Sequence, residues 1–379
     1  MRGRRHCRVI EFGTARARHT NSTTHEPGAH TMSVDANTRI TGATPVAGRE
    51  IRLAARPVGT PTAADFQLVT AAIPALAEGQ ILVRNTWMSV DPYMRGRMDD
   101  VESYIPPFEL GAVLDGSAVG DVIASRSDAV PVGATVSHFA GWREYAVVDA
   151  ATAVVLDISA VPAQAYLGVL GTTGLTAYAA LTEVAPVREG DTVFVSGAAG
   201  AVGSVAGQIA RKLGAARVIG SAGGPTKVAR LRDEFGYDVA LDYRAGAIGD
   251  QLAQAAPEGI DVYLDHVGGD HLEAAIANAK VGARFALIGA ISGYNATEPV
   301  PGPSNLFQAY TRRLNLRGLL VTDHFALFPE FTERALGWLG DGSLHTKETV
   351  FEGIEQAPAA FLGVLNGANT GKMLVRLAD

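Results

Sequence analysis

Residues 192–215 read TVFVSGAAGAVGSVAGQIARKLGA, and the reading of the fold starts here. A short apolar run ends at Ser196, as a buried strand does, and a glycine-rich turn follows it. Beyond the turn Val202, Val205, Ala206, Ile209, Ala210 and Leu213 recur at the spacing of one helical face, and Gly214 stands where a helix C-cap favours glycine. In such a strand, turn and helix, Gly197, Gly200 and Gly203 let the backbone turn sharply, approach a pyrophosphate and pack helix against strand. The helix N-terminus adds N–H groups and the positive end of its dipole. Ala198-Ala199 replaces the middle glycine of the G-x-G-x-x-G form, so the turn is a variant. A tight turn without a ligand has the same outline; the strand before it and the amphipathic helix after it favour a dinucleotide.

Which dinucleotide depends on the end of the next strand. An NAD site places Asp or Glu about twenty residues on, against the ribose 2'-hydroxyl. ARVIGSAGGPTK (216–227) has no acid there. Ser221, Ala222 and two glycines leave room for a 2'-phosphate, and Lys227 at the next helix start is a cation within reach of it. Tyr243, closing the third strand, covers the adenine or reaches the same phosphate. A lone lysine on a helix is ordinarily just solvated, but the missing acid shifts the balance toward NADP(H).

Working outward, the strand-like runs VALDY, DVYLDHV, ARFALIGA and LRGLLVT alternate with the helical segments KVARLRDEFG and DHLEAAIANAKVG. Continuous Val/Ile/Leu runs in that alternation predict a parallel sheet covered on both faces. Near residue 335 the alternation ends; TVFEGI, a helix at APAAFLGVLNG and the run GKMLVRL then close with a strand able to return to the first unit. That first unit, 51–155, consists of short apolar runs cut by Gly, Pro and Asp, which predicts an irregular all-β structure. The first 31 residues hold six arginines and four histidines against Glu11 and Glu26, without apolar periodicity, and are expected to be disordered. Either translation starts at Met32 or the tail is an Arg-rich transit peptide.

Composition narrows the function classes. The 379 residues, 47% of them hydrophobic, suffice for two or three domains. A net charge of -7 and a pI near 5.7 argue against a nucleic-acid groove or a polybasic membrane surface. Residues 158–182 and 192–210 are uncharged, but their Gly, Pro and Thr content reads as buried core and not as a membrane span. A single cysteine, Cys7, excludes an intramolecular disulfide, a Cys-based zinc cluster and an iron–sulfur site, and fits a cytoplasmic protein. Outside the tail His138, His266, His271, His324 and His345 lack Cys partners and metal-ligand spacing, so no metal is expected.

Six segments carry a family resemblance: MSVDPYMRGRM (88–98), LGTTGLTAYAAL (170–181), GAAGAVGSVAGQIA (197–210), DHVGG (265–269), IGAISGYN (288–295) and ANTGKMLVRL (368–377). From Ile51 to its end the chain resembles the zinc-free, NADPH-dependent medium-chain dehydrogenases/reductases of the prostaglandin reductase and leukotriene 12-hydroxydehydrogenase type, which include alkenal double-bond reductases. The resemblance implies an α/β fold. A GroES-like β domain (46–165 and 339–379) would flank a Rossmann domain with a doubly wound parallel sheet (166–338), after an extension over 1–45.

It also implies reduction of the C=C bond of an α,β-unsaturated ketone or aldehyde, with hydride passing from NADPH to the β-carbon. The enolate oxygen then needs a hydroxyl donor, and Tyr294 and Tyr93 match that role. A phenol is protonated at neutral pH and donates without first being charged; ribose hydroxyls of the cofactor are the alternative donors, and tyrosines that merely pack loop to core are the plainer reading. Cofactor contacts carry over to Ala199, Gly200, Val202, Gly203 and Ser204 at the turn, Lys227 and Tyr243 at the 2'-phosphate, Gly289 and Ile291 in IGAISGYN, Leu320 and Val321 beside the nicotinamide, and Asn369. His266 replaces an asparagine that faces the cofactor ribose, and an imidazole titrating near neutrality would make cofactor affinity depend on pH.

Arg95 and Arg97 read as solvated surface arginines, or as the holders of a substrate carboxylate. Trp87, Tyr104, Phe108 and Phe325 are candidate apolar pocket walls, or core. A homodimer through the LRGLLVT sheet edge is implied, unless that strand is internal. Quinone oxidoreductases share A-A-x-G-x-x-G but lack the VDPYMRG and AISxYN pieces, and a non-catalytic NADPH-binding protein is the remaining alternative.

Overall fold

The computed structural model describes residues 39–40 and 45–378. The expectation of disorder over 1–45 therefore lies almost wholly outside the described residues; Arg39 and Ile40, within it, pair with Ser125 and Ala124. In chain order the first part contributes β1 (Arg39–Ile40), β2 (Ala47–Leu53), β3 (Phe66–Ala72), β4 (Gln80–Ser89), the one-turn helix α1 (Met94–Arg97), β5 (Ala118–Ser125), β6 (Thr135–His138), β7 (Tyr145–Asp149) and β8 (Val154–Val155). Antiparallel β2 and β3 stand apart as a hairpin, and the others build a mixed sheet through β4, β5, β6 and β8, with β7 on β4 and β1 on β5.

Next come α2 (Thr172–Ala179), β9 (Thr192–Val195), α3 (Ala201–Lys212), β10 (Arg217–Ala222), α4 (Pro225–Asp233), β11 (Val239–Asp242), α5 (Ile248–Ala255), β12 (Ile260–Asp265), α6 (Gly269–Ala277), β13 (Ala279–Leu287), α7 (Phe307–Thr311) and β14 (Asn315–Gly318). The strand order is β11-β10-β9-β12-β13-β14 and every pairing is parallel. The sheet winds outward from β9 in both directions, which leaves its switch point between β9 and β12. Side chains alternate across it: Val193 and Val195 enter the core under α2 and α3, while Phe194 enters the opposite core with Tyr263 and Phe285. Both faces are covered, which is why these strands read as unbroken apolar runs.

The chain then returns through α8 (Phe328–Gly340), β15 (Glu348–Glu352), α9 (Ala357–Leu365) and β16 (Lys372–Arg376). β16 pairs antiparallel with β4, setting Leu374 opposite Ser89, and β15 adds outside it in parallel. The two-domain α/β architecture is the GroES-like plus Rossmann arrangement. α8 runs two residues past the boundary expected at 338. Two elements differ from the sequence reading. The helix expected over DHLEAAIANAKVG stops at Ala277, because Ala279 already pairs with Ile260. LRGLLVT forms a strand only as far as Gly318, because its one neighbour, β13, ends opposite it at Leu287; β14 is thus an edge strand and not an internal one. Among the described residues no helix is long and apolar enough to cross a membrane.

Candidate active site

The carboxyl ends of the parallel strands share one edge of their sheet, where an open α/β sheet receives its ligand. At the end of β9, Gly197 adopts φ +59°, Gly200 caps α3, and a Cβ on Gly203 would stand 2.5 Å from Ala198 Cα. Only glycine lets α3 sit this close to the strand. Ala198 N donates to the Ser221 carbonyl at 2.8 Å, which pins the turn to β10. Gly371 N donates to the Ala199 carbonyl at 2.8 Å, laying the loop before β16 on the turn, and Asn369 Nδ2 donates to Gly371 O at 2.7 Å. Ser204 is buried and gives its hydroxyl to Ala201 O, while Val202 is half-buried beside it.

The ends of β10 and β11 form a cationic corner. Lys227 Nζ donates to Gly367 O at 2.7 Å, and burial together with the neighbouring charge of Arg244 lowers its pKa. The Arg244 guanidinium lies 5.9 Å from the centre of the Tyr243 ring, whose other neighbour is the His271 ring at 5.4 Å. A Cβ on Gly223 would meet the Tyr243 hydroxyl at 2.6 Å and Arg244 Nε at 2.9 Å, so part of the room left by the glycines belongs to these side chains. The nearby Asp242 carboxylate is occupied by the backbone N–H groups of Gly224 and Arg244. The Ser221 hydroxyl is buried without a partner. The structure sets Lys227 and Tyr243, both named from the sequence, beside Arg244, which was not, although a basic residue directly after the strand-end tyrosine was the available signal.

At the end of β12 one carboxylate organises the loop. Asp265 Oδ1 accepts from Val267 N at 3.0 Å, Gly268 N at 2.8 Å and the Tyr263 hydroxyl at 2.8 Å. Its own carbonyl accepts from Gly289 N, and that of His266 accepts from Ile291 N, so the ends of β12 and β13 are zipped together. His266 Nδ1–H donates to the Ser196 carbonyl at 2.8 Å, which makes Nε2 an acceptor, and Nε2 is buried without a partner. Burial lowers the pKa of this imidazole against the opposing pull of the Ser196 bond. The expectation of a titration near neutrality is corrected: the ring is neutral there, because charging it would strand a cation in a desolvated site. Past β14, Leu320 is partly exposed and Val321 begins a 3-10 turn.

Facing this edge is the segment around α1. The Tyr93 hydroxyl is buried without a partner, and burial first, then Asp91, pushes its pKa far up. Tyr294 follows the β13 end; its hydroxyl accepts from Ala290 N at 3.4 Å, and burial raises its pKa as well. Burial raises the pKa of Tyr104 too, and a charge on Tyr294 would raise it further, so an exposed third phenol lies in this region where sequence reading proposed two.

The arginines are corrected: Arg95 and Arg97 are 3% and 6% exposed and neither is solvated. Arg97 pairs with Asp115, donates to Pro106 O at 2.8 Å and lies 4.0 Å over the Phe108 ring, while Arg95 is saturated by Gly59, Asp99 and Asn295. With donors so committed, neither holds a substrate carboxylate. Phe108 is core, Trp87 packs partly buried in a satellite core, and Tyr104 and Phe325 are exposed. Asp91 is held by Ser89 and by the buried Lys372 at the head of β16.

Two family models match the chain: the N-terminal domain of oxidoreductase over residues 49–156 and zinc-binding dehydrogenase over 201–339. The 2-alkenal reductase (NADP(+)-dependent) of Nicotiana tabacum is 37% identical, over 88% of this chain and 98% of its own. Prostaglandin reductase 1 of Bos taurus is 39% identical, over 84% and 96%. The chain belongs to the medium-chain dehydrogenase/reductase family of the prostaglandin reductase type. In that family the crystal structure of CurA in complex with NADPH from Vibrio vulnificus superimposes with a TM-score of 0.84 at 39% identity, covering 87% of this chain and 99% of CurA. Among the described residues of this medium-chain reductase, no group of three or more His, Cys, Asp or Glu is placed to hold a metal ion.

The residues of this family member suit a phosphorylated dinucleotide on their own chemistry. A turn with no space for a Cβ at Gly203, two adjacent cations, and two buried acceptor or donor atoms without partners, Ser221 Oγ and His266 Nε2, are what such a ligand would satisfy.

Proposed function

We propose that this reductase uses NADPH to reduce the C=C bond of α,β-unsaturated ketones and aldehydes. The observation that carries the reading is the Tyr93 hydroxyl, buried, protonated and without a partner, on the segment that faces the dinucleotide edge. The tobacco and bovine relatives, of matching length, support this substrate class.

Ala199, Gly200, Val202, Gly203 and Ser204 would hold the pyrophosphate at the N-terminus of α3, with Lys227, Tyr243 and Arg244 on the 2'-phosphate. His266 would accept from a ribose hydroxyl through Nε2, and Gly289, Ile291, Leu320, Val321 and Asn369 would complete the contacts. Bound NADPH would supply a hydride to the substrate β-carbon, and a proton from solvent would complete the saturated product at the α-carbon. Negative charge then grows on the substrate carbonyl oxygen, and Tyr93 and Tyr294 donate to it. Both phenols have raised pKa values, so both keep their protons across the physiological range. Hydrogen bonds aimed at an oxyanion in a desolvated site are worth far more than in water.

The test is NADPH oxidation with a medium-chain 2-alkenal, an enone and a quinone, with products identified by mass spectrometry. A saturated carbonyl product supports the proposal. Turnover of the quinone alone would assign the chain to quinone reduction, and tight NADPH binding with no turnover would make it a non-catalytic binding protein. We place a homodimer contact at the open edge of β14, to be checked by sedimentation of the wild type against a variant with Leu316→Glu.

A further inference from the structure

Arg95 stands two residues after Tyr93 and is 3% exposed. Its guanidinium reaches three residues, two of them, Gly59 and Asn295, distant along the chain. Nε donates to Asn295 Oδ1 at 3.1 Å, Nη1 to both Asp99 carboxylate oxygens at 2.9 Å, and Nη2 to Gly59 O at 2.9 Å. Asn295 directly follows Tyr294, so one side chain ties the segment bearing one phenol to the turn bearing the other. A second contact lies alongside it: a Cβ on Gly59 would meet Thr297 Cγ2 at 3.3 Å and Asn295 O at 3.7 Å. α1 follows a strand of the mixed sheet and residues 291–297 follow a strand of the parallel sheet, and among the described residues no strand pairing joins these two segments.

We infer that Arg95 and Asn295 form a latch across the cleft, in which Arg95 is a positioning residue that sets how Tyr93 and Tyr294 stand about the substrate carbonyl. The inference rests on the enone-reductase reading for its effect on turnover. A guanidinium suits the task because its planar fork holds three directions at once, whereas an ammonium is a point charge on a flexible stem. Asp99 balances the charge, which leaves Nε to make a charge-assisted bond to the Asn295 amide oxygen. Of the proposed dinucleotide contacts only Ile291 lies on the tied turn, and Arg95 is hydrogen-bonded to none of them.

The test uses Asn295→Leu, in a half-buried turn where Arg95 keeps its other partners, and Asn295→Asp, which keeps an acceptor oxygen. Displacing a reacting group by about an ångström costs on the order of a hundredfold, so Asn295→Leu is expected to lower kcat/KM for a 2-alkenal roughly tenfold to a hundredfold. NADPH affinity should stay within about twofold of wild type, since uniform binding is untouched, and Asn295→Asp should restore most of kcat/KM. Amide hydrogen exchange over 291–297 should rise in Asn295→Leu and fall back in Asn295→Asp, a readout independent of substrate. Arg95→Lys should act in the same direction and more strongly. Unchanged exchange together with wild-type kcat/KM in Asn295→Leu overturns the latch. A loss of NADPH affinity that matches the loss of kcat/KM overturns the positioning role. Raised exchange in a protein whose wild type reduces no enone leaves the latch standing and removes the proposed reaction.

Discussion

At the carboxyl edge of the parallel sheet, Gly197, Gly200, Gly203 and Gly268 work through backbone N–H groups and the absence of side chains. On and around α1 the opposite holds: Arg95, Arg97 and Lys372 work through side-chain charge taken out of water, Lys372 against the half-buried Asp91. The heart of the first region is local, since one strand, one turn and one helix hold Gly197, Gly200 and Gly203. The second is assembled from far apart, with Arg95 bonded across 200 positions to Asn295 and Lys372 across 281 to Asp91. The difference teaches that a ligand cradle can be written into adjacent residues, whereas a buried charge needs a partner that only folding supplies.

Breaking the second region should cost the most. Lys372→Met leaves the half-buried Asp91 beside Ser89 without its cation, and should destabilise the protein by about 2–3 kcal/mol, read as a lowered urea midpoint. Adding Asp91→Asn should recover most of that, because the loss comes from the stranded charge. If the single and double variants unfold alike, the contrast between the regions is wrong.

His138 sharpens the same point from a group with no opposite charge at hand. It is held by Asn85 Oδ1 and the Ala140 N–H, and burial, then Arg143, lowers its pKa from 6.5 to about 4. The unfolded chain takes up this proton first, so stability is fully present above pH 6.5 and declines as pH falls toward 4, by up to about 3 kcal/mol. Urea midpoints at pH 7 and pH 5 check the sign, and His138→Gln should flatten the drop.

The first region breaks through sterics instead. Gly203→Val would drive its side chain into Ala198 and should weaken NADPH binding at least ~100-fold, about 2.7 kcal/mol, by fluorescence titration. A fold that relaxes to accept valine with unchanged affinity would show that close helix packing is dispensable there. Smaller is Tyr294→Phe: about a tenfold loss in kcat, near 1.4 kcal/mol, with NADPH affinity intact. The smallest is Arg244→Ala, expected to raise the apparent Kd for NADPH roughly three- to fivefold and leave NADH unchanged, as befits a partly screened charge.

The α/β order, the strand at Thr192–Val195, the variant glycine turn and Lys227 were all legible before any coordinates, and so was the return of GKMLVRL to the first sheet. Arg95 and Arg97 were misread because an arginine flanked by glycine looks solvated unless its distant carboxylates and carbonyls are known. Arg244 and Asp265 escaped although their partners are near in sequence, Tyr243 for the first and Tyr263, Val267 and Gly268 for the second, because spacing alone does not say which side chains turn toward the sheet edge. Tyr104 was read only as a pocket wall or core. His266 was read as a neutral-pH switch because its residue type titrates near neutrality, and desolvation lowers its pKa despite the Ser196 bond.

By itself the sequence determined what depends on short spacing: helical and strand periodicity, a turn that demands glycine, and the missing acid at the end of β10. Those are properties of backbone conformation and of side chains a few positions apart. The tertiary structure alone decided which charges are buried and with whom, which strand lies at the edge, and that Arg95 ties the turn after Tyr294 to the segment bearing Tyr93. Desolvation and pairing depend on distance in space, and residues 200 positions apart carry no local mark of being neighbours.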